Sequence, residues 1–459
     1  MELTAAQLAH ATGGEVLTGD ADARATSFTI DSRLVEPGAC FFALRGTRDG
    51  HQFLPDAFAR GATLAVVARI VDGLPPDATL VRVPDVMEAL AALGVLARRW
   101  LADATVVGIT GSAGKTTTKD LTAAALRGSR RVHASPASYN NEAGVPLTLL
   151  GAPADAQVVV AEMGARFVGN IADLTAMARP TVGVVTHVGM AHAEHLGGPE
   201  GITQVKGELL EALPADGLAV LNADCDSVAE LAARTVARVV RVGCADDADV
   251  RLRDVGLDEE LHPRFTLDSP WGRASITLGL RGEHQAQNAA MAATVALALD
   301  TPLDAVVEGL ADVPHASFRM ELLRTTDGIT VINDAYNSSP TSAAAAVRSL
   351  ASLPVAGRRV AVLGEMRELG AYGDAEHVEL GRLAGSAGID LLVAVGEPAS
   401  LLLEGARGSD AIVRVVPDAT AAAELLLESL RPGDAVLVKA SRTVGLEHIA
   451  HDLVQGRGQ

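Results

Sequence analysis

The residues with the most explicit chemistry lie at 106–117, which read VVGITGSAGKTT. An apolar run ends in a glycine-rich turn, Lys115 and Thr116 close it, and a helical pattern follows. Such glycines let backbone N–H groups close on phosphate oxygens, and the helix N-terminus adds positive potential. On that reading Thr110, Gly111, Ser112, Ala113, Gly114 and Thr117 form the cradle. Lys115 reaches the β/γ-phosphates and the Thr116 hydroxyl holds Mg2+. The loop is the short T-G-x-x-G-K-T form: Ile109 stands where the longer G-x-x-x-x-G-K-[ST] pattern starts with glycine. A glycine-rich β-turn before a helix is the competing account, and the strand–loop–helix context weighs against it. The chain is therefore expected to bind ATP.

Glu162 ends an apolar run, Val158-Val159-Val160-Ala161, and precedes Met163-Gly164. A carboxylate there offers the hard oxygen that suits Mg2+; a capping or surface glutamate has the same local pattern. His187, His192 and His195 crowd the next such segment. Zinc is one reading, but the segment is turn-rich and no cysteine lies near it in sequence to complete a tetrahedral set. Surface histidines are the plainer reading for His187 and His195. Lys206, in a helical pattern beside Glu208, reads by itself as an exposed lysine.

These residues need a scaffold. A chain of 459 residues exceeds one compact core and points to about three domains. Residues 1–103 alternate short β-type runs, at 27–30, 40–44, 64–67 and 79–83, with helical patterns. They close on a helix over 86–101 with Val86, Leu90, Leu93 and Trp100 on one face. Residues from 104 onward suggest a largely parallel sheet whose runs end at 108–110, Glu162 and His187. Ligands bind beyond such strand ends. Runs at 264–267 and 275–280 flank Asp268-Ser269-Pro270-Trp271-Gly272 as an antiparallel hairpin. From Phe318 onward, runs at 359–364, 391–396 and 435–439 separate helical stretches, as in a small doubly wound α/β domain.

Composition excludes several classes. A net charge of −19 argues against an exposed nucleic-acid surface, while local cations can still hold an anionic ligand. No apolar run reaches the roughly 18 residues of a membrane span. The N-terminus, MELTAA, has neither the basic region nor the apolar core of a signal peptide. Cys40, Cys225 and Cys244 are odd in number and scattered. That suits a reducing cytoplasm and not a disulfide framework.

In order and spacing, these stretches resemble the Mur ligases of peptidoglycan synthesis over essentially the whole chain. The family's phosphate loop is the short form seen here. Its histidine precedes a lysine that becomes carbamylated; His192 and Lys206 match that pair, 206 − 192 = 14 apart. A carbamate forms from CO2 and a neutral amine and supplies oxygens where an ammonium would repel a metal, so it requires a depressed lysine pKa. Residues 282–289, GEHQAQNA, resemble the motif whose last asparagine, here Asn288, lies near the adenine. Arg319 resembles the arginine that reaches the nucleotide phosphates, and Lys439-Ala440-Ser441-Arg442 the late K-G-S-R segment. Asp31-Ser32-Arg33, Pro37-Gly38, Gly46 and Asp49-Gly50-His51 resemble the uridine-binding region. Residues 332–340 (INDAYNSSP), 362–370 (VLGEMRELG) and 138–148 (SYNNEAGVPLT) resemble motifs of the branch that adds D-alanyl-D-alanine. The D-N-P-R motif of the diamino-acid-adding branch is absent. Ser138, Ser339, Glu365 and Ala440 depart from the family's letters.

The resemblance implies an α/β protein of three domains. These are an N-terminal UDP-sugar-binding domain (1–103), a central P-loop, parallel-sheet ATP-binding domain with a β-hairpin region (104–316), and a C-terminal Rossmann-like ligase domain (317–459). It implies that ATP activates the terminal carboxylate of a UDP-N-acetylmuramoyl tripeptide as an acyl phosphate, which the amine of D-alanyl-D-alanine attacks. Lys115, Glu162, His192, Lys206 and Arg319 are the implied catalytic set. Thr116 and Glu162 would hold one Mg2+; Glu162, His192 and carbamylated Lys206 a second. Asn288, Arg319, Asp334, Tyr336 and Asn337 are implied nucleotide contacts. Asp31, Ser32, Arg33, Gly46, Asn140, Asn141, Lys439 and Ser441 are implied substrate contacts. The expected protein is a cytoplasmic monomer acting on small molecules, with no nucleic-acid or membrane partner. Two alternatives stay open: a sister ligase adding another amino acid or dipeptide, and a P-loop ATPase that forms no bond.

Overall fold

The computed structural model describes residues 1–314 and 317–456. Three large sheets, each flanked by helices, follow one another along the chain. The first has five strands in the order Glu15–Thr18, Thr79–Arg82, Leu64–Val67, Ala39–Phe42, Ser27–Thr29, parallel except at its first pair. The helix Val86–Trp100 closes this unit. Asp85 caps it by accepting from the amides of Met87 and Glu88, the carboxylate satisfying N–H groups that have no helical partner. Val86, Leu90 and Leu93 are buried as their spacing predicts, but Trp100 is 47% exposed. Ala97 and Leu101 fill the inner positions of the last turn, so the core ends before the indole reaches it.

The middle sheet has nine strands, ordered Gly272–Thr277, Pro263–Ser269, Val250–Leu257, Arg238–Gly243, Leu218–Asn222, Val182–Val185, Thr105–Thr110, Val158–Glu162, Val132–Ala134. The expected hairpin pairs antiparallel and extends a sheet otherwise parallel. Alternate residues of Thr105–Thr110 point to opposite faces. Val106 joins a core with Leu93, Val145 and Ile171; Val107 and Ile109 join another with Leu121, Ala289 and Val295. Burial on both faces is why these strands read as unbroken apolar runs.

From Thr105–Thr110 the chain crosses first to one side of the sheet and later to the other. That makes the end of this strand a topological switch point, where a crevice forms for ligands. Register sets Ile109 beside Glu162 and Thr110 beside Val185, so three strand ends open on one place.

The third sheet is ordered Glu321–Arg324, Thr330–Asn333, Ala435–Lys439, Arg359–Leu363, Leu391–Val395, Ile412–Val416, parallel but for the first pair. Ile412–Val416 lies outside the runs that the sequence pattern marks. It is an edge strand with Ile412 and Val415 more than half exposed, and so lacks the buried-run signature. Among the described residues no helix is long and apolar enough to cross a membrane.

Candidate active site

The phosphate loop is built by two glycines in conformations other residues avoid. Gly111 has φ +148° and Gly114 φ +80°. A Cβ on Gly111 would lie 2.0 Å from Thr186 Oγ1, and one on Gly114 2.6 Å from Asn288 Oδ1. The helix Lys115–Arg127 starts with no side-chain cap, which leaves its first amides for an anion. Lys115 Nζ donates to the Gly111 carbonyl at 2.7 Å, and burial pushes its pKa down. The loop is braced from outside: Ser112 Oγ donates to the Gly189 carbonyl at 2.7 Å, and Thr186 Oγ1 donates to the Ala113 carbonyl. Asn288, implied near an adenine, packs against Gly114 and donates to Gln285 at 2.8 Å. A small, open cleft lined by Thr117, Arg281, Gln285 and Arg319 lies beside the loop.

Glu162 is almost fully buried. Its Oε1 accepts from Asn140 Nδ2 at 2.7 Å, and its amide donates to Ser135 Oγ at 3.1 Å. Its Oε2 is buried with no hydrogen-bond partner among the described residues. A buried carboxylate oxygen without a partner is costly, and a bound cation would satisfy it. Lys206, which read as an exposed lysine when taken alone, is 1% exposed. It sits on the buried face of the helix Pro199–Glu211. Burial, reinforced by the nearby charge of Lys115, brings its pKa down to about 7. Near pH 7 about half of its amine is therefore neutral, the form that combines with CO2. Burial also lowers the pKa of His192, with Lys115 and Lys206 acting in the same direction. Lys115, Glu162, His192 and Lys206 therefore share one electrostatic neighbourhood. The residues present fit a divalent cation: an unpartnered carboxylate oxygen, an imidazole whose pKa burial lowers, and an amine that loses its proton near neutral pH.

The three histidines do not form a zinc site. His187 shares a hydrogen bond with Thr341 at 3.3 Å, His192 Nδ1 pairs with Glu368, and His195 is exposed beside the Phe167 ring. Cys225, distant in sequence, does come up to His187. Burial alone would raise its thiol, but hydrogen bonds with His187 and Ser227 outweigh that and bring it to about 7. Among the described residues no three His, Cys, Asp or Glu side chains gather as a metal cluster.

The third unit reaches into this site. Arg319 Nη2 donates to Thr116 Oγ1 at 3.3 Å, and its guanidinium lies 4.1 Å from the Tyr336 ring centre. Tyr336 donates to Ser138 Oγ at 3.0 Å, and Ser138 shares a 3.3 Å hydrogen bond with Thr116. Asp334 accepts from the Met320 amide at 3.1 Å and pairs with Lys439 at 2.6 Å.

Other implied contacts are turned to structural work. Asn140 holds Glu162, and Asn141 Oδ1 accepts from the Gly144 amide at 3.0 Å. Lys439 is 2% exposed, its charge spent on Asp334 and on the Asn337 carbonyl at 2.9 Å. Ser441 is buried and accepts from the Arg367 amide. Both stand at the end of an inner strand, enclosed by the loops of neighbouring strands. In the first unit Asp31 caps the turn Ser32–Leu34 and forms a two-point ion pair with Arg33. The Gly46 amide donates to the Arg48 carbonyl at 3.1 Å. Among the described residues no hydrogen bond or ion pair joins them to the phosphate loop, but Asp31 acts electrostatically on Tyr139 of the middle unit.

Three family descriptions match the chain: "Mur ligase family, catalytic domain" at 24–101, "Mur ligase middle domain" at 109–296 and "Mur ligase, glutamate ligase domain" at 318–442. A Mycobacterium tuberculosis protein named UDP-N-acetylmuramoyl-tripeptide–D-alanyl-D-alanine ligase is 43% identical, covering 99% of this chain and 98% of that protein. The chain belongs to the Mur ligase family. An Escherichia coli Mur ligase of the same name is 32% identical over 99% of this chain and 98% of its own length. Among solved structures, MurF from Acinetobacter baumannii superposes with a TM-score of 0.87 at 30% identity, covering 99% of both chains. MurF from Thermotoga maritima in complex with ADP gives 0.78 at 29% identity, covering 94% of this chain and 97% of its own. As a Mur ligase, the chain is an ATP-dependent ligase of peptidoglycan precursor synthesis. The middle-domain match contains the phosphate loop, Glu162, His192 and Lys206; the third begins one residue before Arg319. Sequence reasoning missed the bond from Asn140 to Glu162 and the pairing of Glu368 with His192. Both residues lie inside quoted motifs, but no local pattern says which distant side chain each meets.

Proposed function

We propose that this Mur ligase joins D-alanyl-D-alanine to the terminal carboxylate of a UDP-N-acetylmuramoyl tripeptide. The third residue of that peptide would be a diamino acid. The observation that carries the metal-assisted chemistry is the unpartnered Glu162 Oε2, buried within electrostatic reach of Lys115. The choice of dipeptide rests on the names of relatives at 43% and 32% identity and on the motifs at 332–340 and 362–370.

Thr116 and Glu162 would hold one Mg2+; Glu162, His192 and Lys206 as its carbamate would hold a second. Such ions, when bound, draw charge off the phosphate and acyl oxygens. An acceptor carboxylate and a γ-phosphate repel each other, and Lys115 and Arg319 supply positive charge against that repulsion. An oxygen of the carboxylate displaces ADP from the γ-phosphorus. The dipeptide amine then adds to the acyl carbon, loses a proton and expels phosphate, leaving an amide. Contacts from Arg319 and Tyr336 close the third unit over the loop, which orients the reactants and keeps water from the acyl phosphate. In this reading residues 1–103 bind the UDP-sugar through Asp31, Ser32, Arg33 and Gly46. Residues 104–316 and 317–459 share the nucleotide, Asn288, Asp334, Tyr336 and Asn337 among its contacts, and the chain works as a monomer.

The test is phosphate release by the purified protein with ATP and Mg2+, with UDP-N-acetylmuramoyl tripeptide present and D-alanyl-D-alanine added or omitted. Release that requires both, with a product heavier by the dipeptide, supports the reading. Equal release with a single amino acid points to a sister ligase. Release that ignores both substrates overturns ligation.

A further inference from the structure

Outside the catalytic set, Glu368 makes a contact that the activity as described does not use. It lies in the loop between the strand Arg359–Leu363 and the helix Gly373–Ser386, in the third unit. Its carboxylate pairs with Nδ1 of His192 in the middle unit, and its carbonyl accepts from the Glu194 amide at 3.1 Å. Both partners have left-handed backbones, His192 at φ +61° and Glu368 at φ +62°. Non-glycine residues pay for that conformation and keep it only where surroundings impose it. The surroundings are firm. The Met366 amide donates to buried His377 at 2.9 Å, the Arg367 amide to Ser441 Oγ at 2.9 Å, and Leu369 is buried. On the other side, a Cβ on Gly370 would already touch Glu194 at 3.1 Å, and one on Gly198 would strike the Tyr372 hydroxyl at 2.5 Å. Two strained residues are thus pressed together across the junction of two units.

We propose that Glu368 is a positioning residue for the metal site of the middle unit: the third unit brings in a carboxylate that holds His192 by Nδ1 and leaves Nε2 as the nitrogen open to a cation. Histidines that bind metals commonly donate their other N–H to a carboxylate, which fixes tautomer and ring orientation. The special feature here is that the carboxylate belongs to a different unit from the ligand. Docking of the third unit and completion of the second cation site become one event. The inference rests on the two-cation reading above.

The test uses the full chain with Mn2+ as the probe and a non-hydrolysable ATP analogue, counting bound ions by electron paramagnetic resonance. Nitrogen-15 NMR of histidine-labelled protein, with His192 assigned by H192Q, reads the tautomer independently of any metal. Expected are two ions in the native protein and a proton on Nδ1 of His192. In E368A the first ion is retained and the second weakens by roughly 10–100-fold, with the tautomer preference lost. E368Q, whose amide oxygen accepts the same N–H, keeps both. A native His192 protonated on Nε2 overturns the proposal without any variant. So does native affinity for the second ion in E368A, or equal weakening in E368A and E368Q. A single ion in the native protein overturns the two-cation reading itself, and the proposal with it.

Discussion

The middle unit is held by its two neighbours in opposite ways. Against the first unit the contact is apolar and continuous. Leu90 and Leu93 of the helix Val86–Trp100 share one core with Val145, Leu149, Ile171 and Leu174. At Gly94 the approach is so close that a Cβ would lie 2.6 Å from Met177 Sδ and 2.7 Å from Pro146 Cβ. Against the third unit the contact is mostly polar and individually replaceable: Arg319 on Thr116, Tyr336 on Ser138, Thr341 on His187, Arg324 on Glu260 and Glu368 on His192. Leu261, inserted beside Met320 and Ile332, is its main apolar element. Apolar burial is non-directional and indifferent to ligands. Polar contacts are directional and compete with water, salt and substrate. The first junction is therefore suited to a fixed frame, and the second to a surface whose contacts can be exchanged one by one.

The largest effect is expected inside the middle unit, at the chemistry that the polar junction covers. Lys206→Ala should lower kcat by roughly 10²–10³-fold, the scale of losing one charge-stabilising group. Formate or acetate should restore part of the activity by supplying the missing oxygens. Failure of rescue with intact folding would remove the carbamate from the mechanism.

The frame side is tested by Gly94→Leu. Overpacking of this kind costs roughly 1–3 kcal/mol, read as a fall in Tm or denaturant midpoint. Protein that remains folded should keep near-native KM for ATP. A change in KM as large as the change in stability would mean that the first junction also governs the nucleotide site.

Next in size is pH. With the Lys206 pKa at about 7, the neutral amine rises roughly tenfold between about pH 6 and about pH 8. Carbamate measured with labelled bicarbonate should rise with it and vanish in acid. Without CO2 the linkage has a definite sign. The unfolded chain binds the Lys206 proton up to its ordinary 10.5 and the folded chain only up to about 7, so stability rises with pH across that window. A carbamate signal flat in pH would place the amine outside this range.

The smallest expected effect is that of Tyr336→Phe. It removes the hydrogen bond to Ser138 but keeps the ring under Arg319. The cost is about 0.5–1.5 kcal/mol of docking, seen as a severalfold rise in KM for ATP with Tm unchanged. A Tm loss matching that of Gly94→Leu would erase the difference between the two junctions.

Much of the molecule is legible in one dimension because its signals are local. The phosphate loop needs glycines at Gly111 and Gly114 whatever surrounds it. Strands buried on both faces must be apolar throughout, so 105–110, 158–162, 182–185 and 435–439 stand out, and periodicity marks the helix after Asp85. Trp100 and the edge strand Ile412–Val416 escape that logic because exposure depends on where a core stops, which no local pattern encodes.

The amino-acid sequence by itself determined the phosphate loop, the order of α/β units and the set of charged residues available for catalysis. Only the tertiary structure decided their employment. Burial turned Lys206 from an ordinary lysine into one whose amine gives up its proton near neutral pH. Strand ends brought Glu162 to the phosphate loop, and Asn140 took one of its oxygens while the other was left without a hydrogen-bond partner among the described residues. Lys439 and Ser441 were enclosed as braces, and Glu368 met His192 across 176 positions of chain. Desolvation and pairing between distant residues depend on three-dimensional neighbours, and those exist only once the sheets have formed and docked.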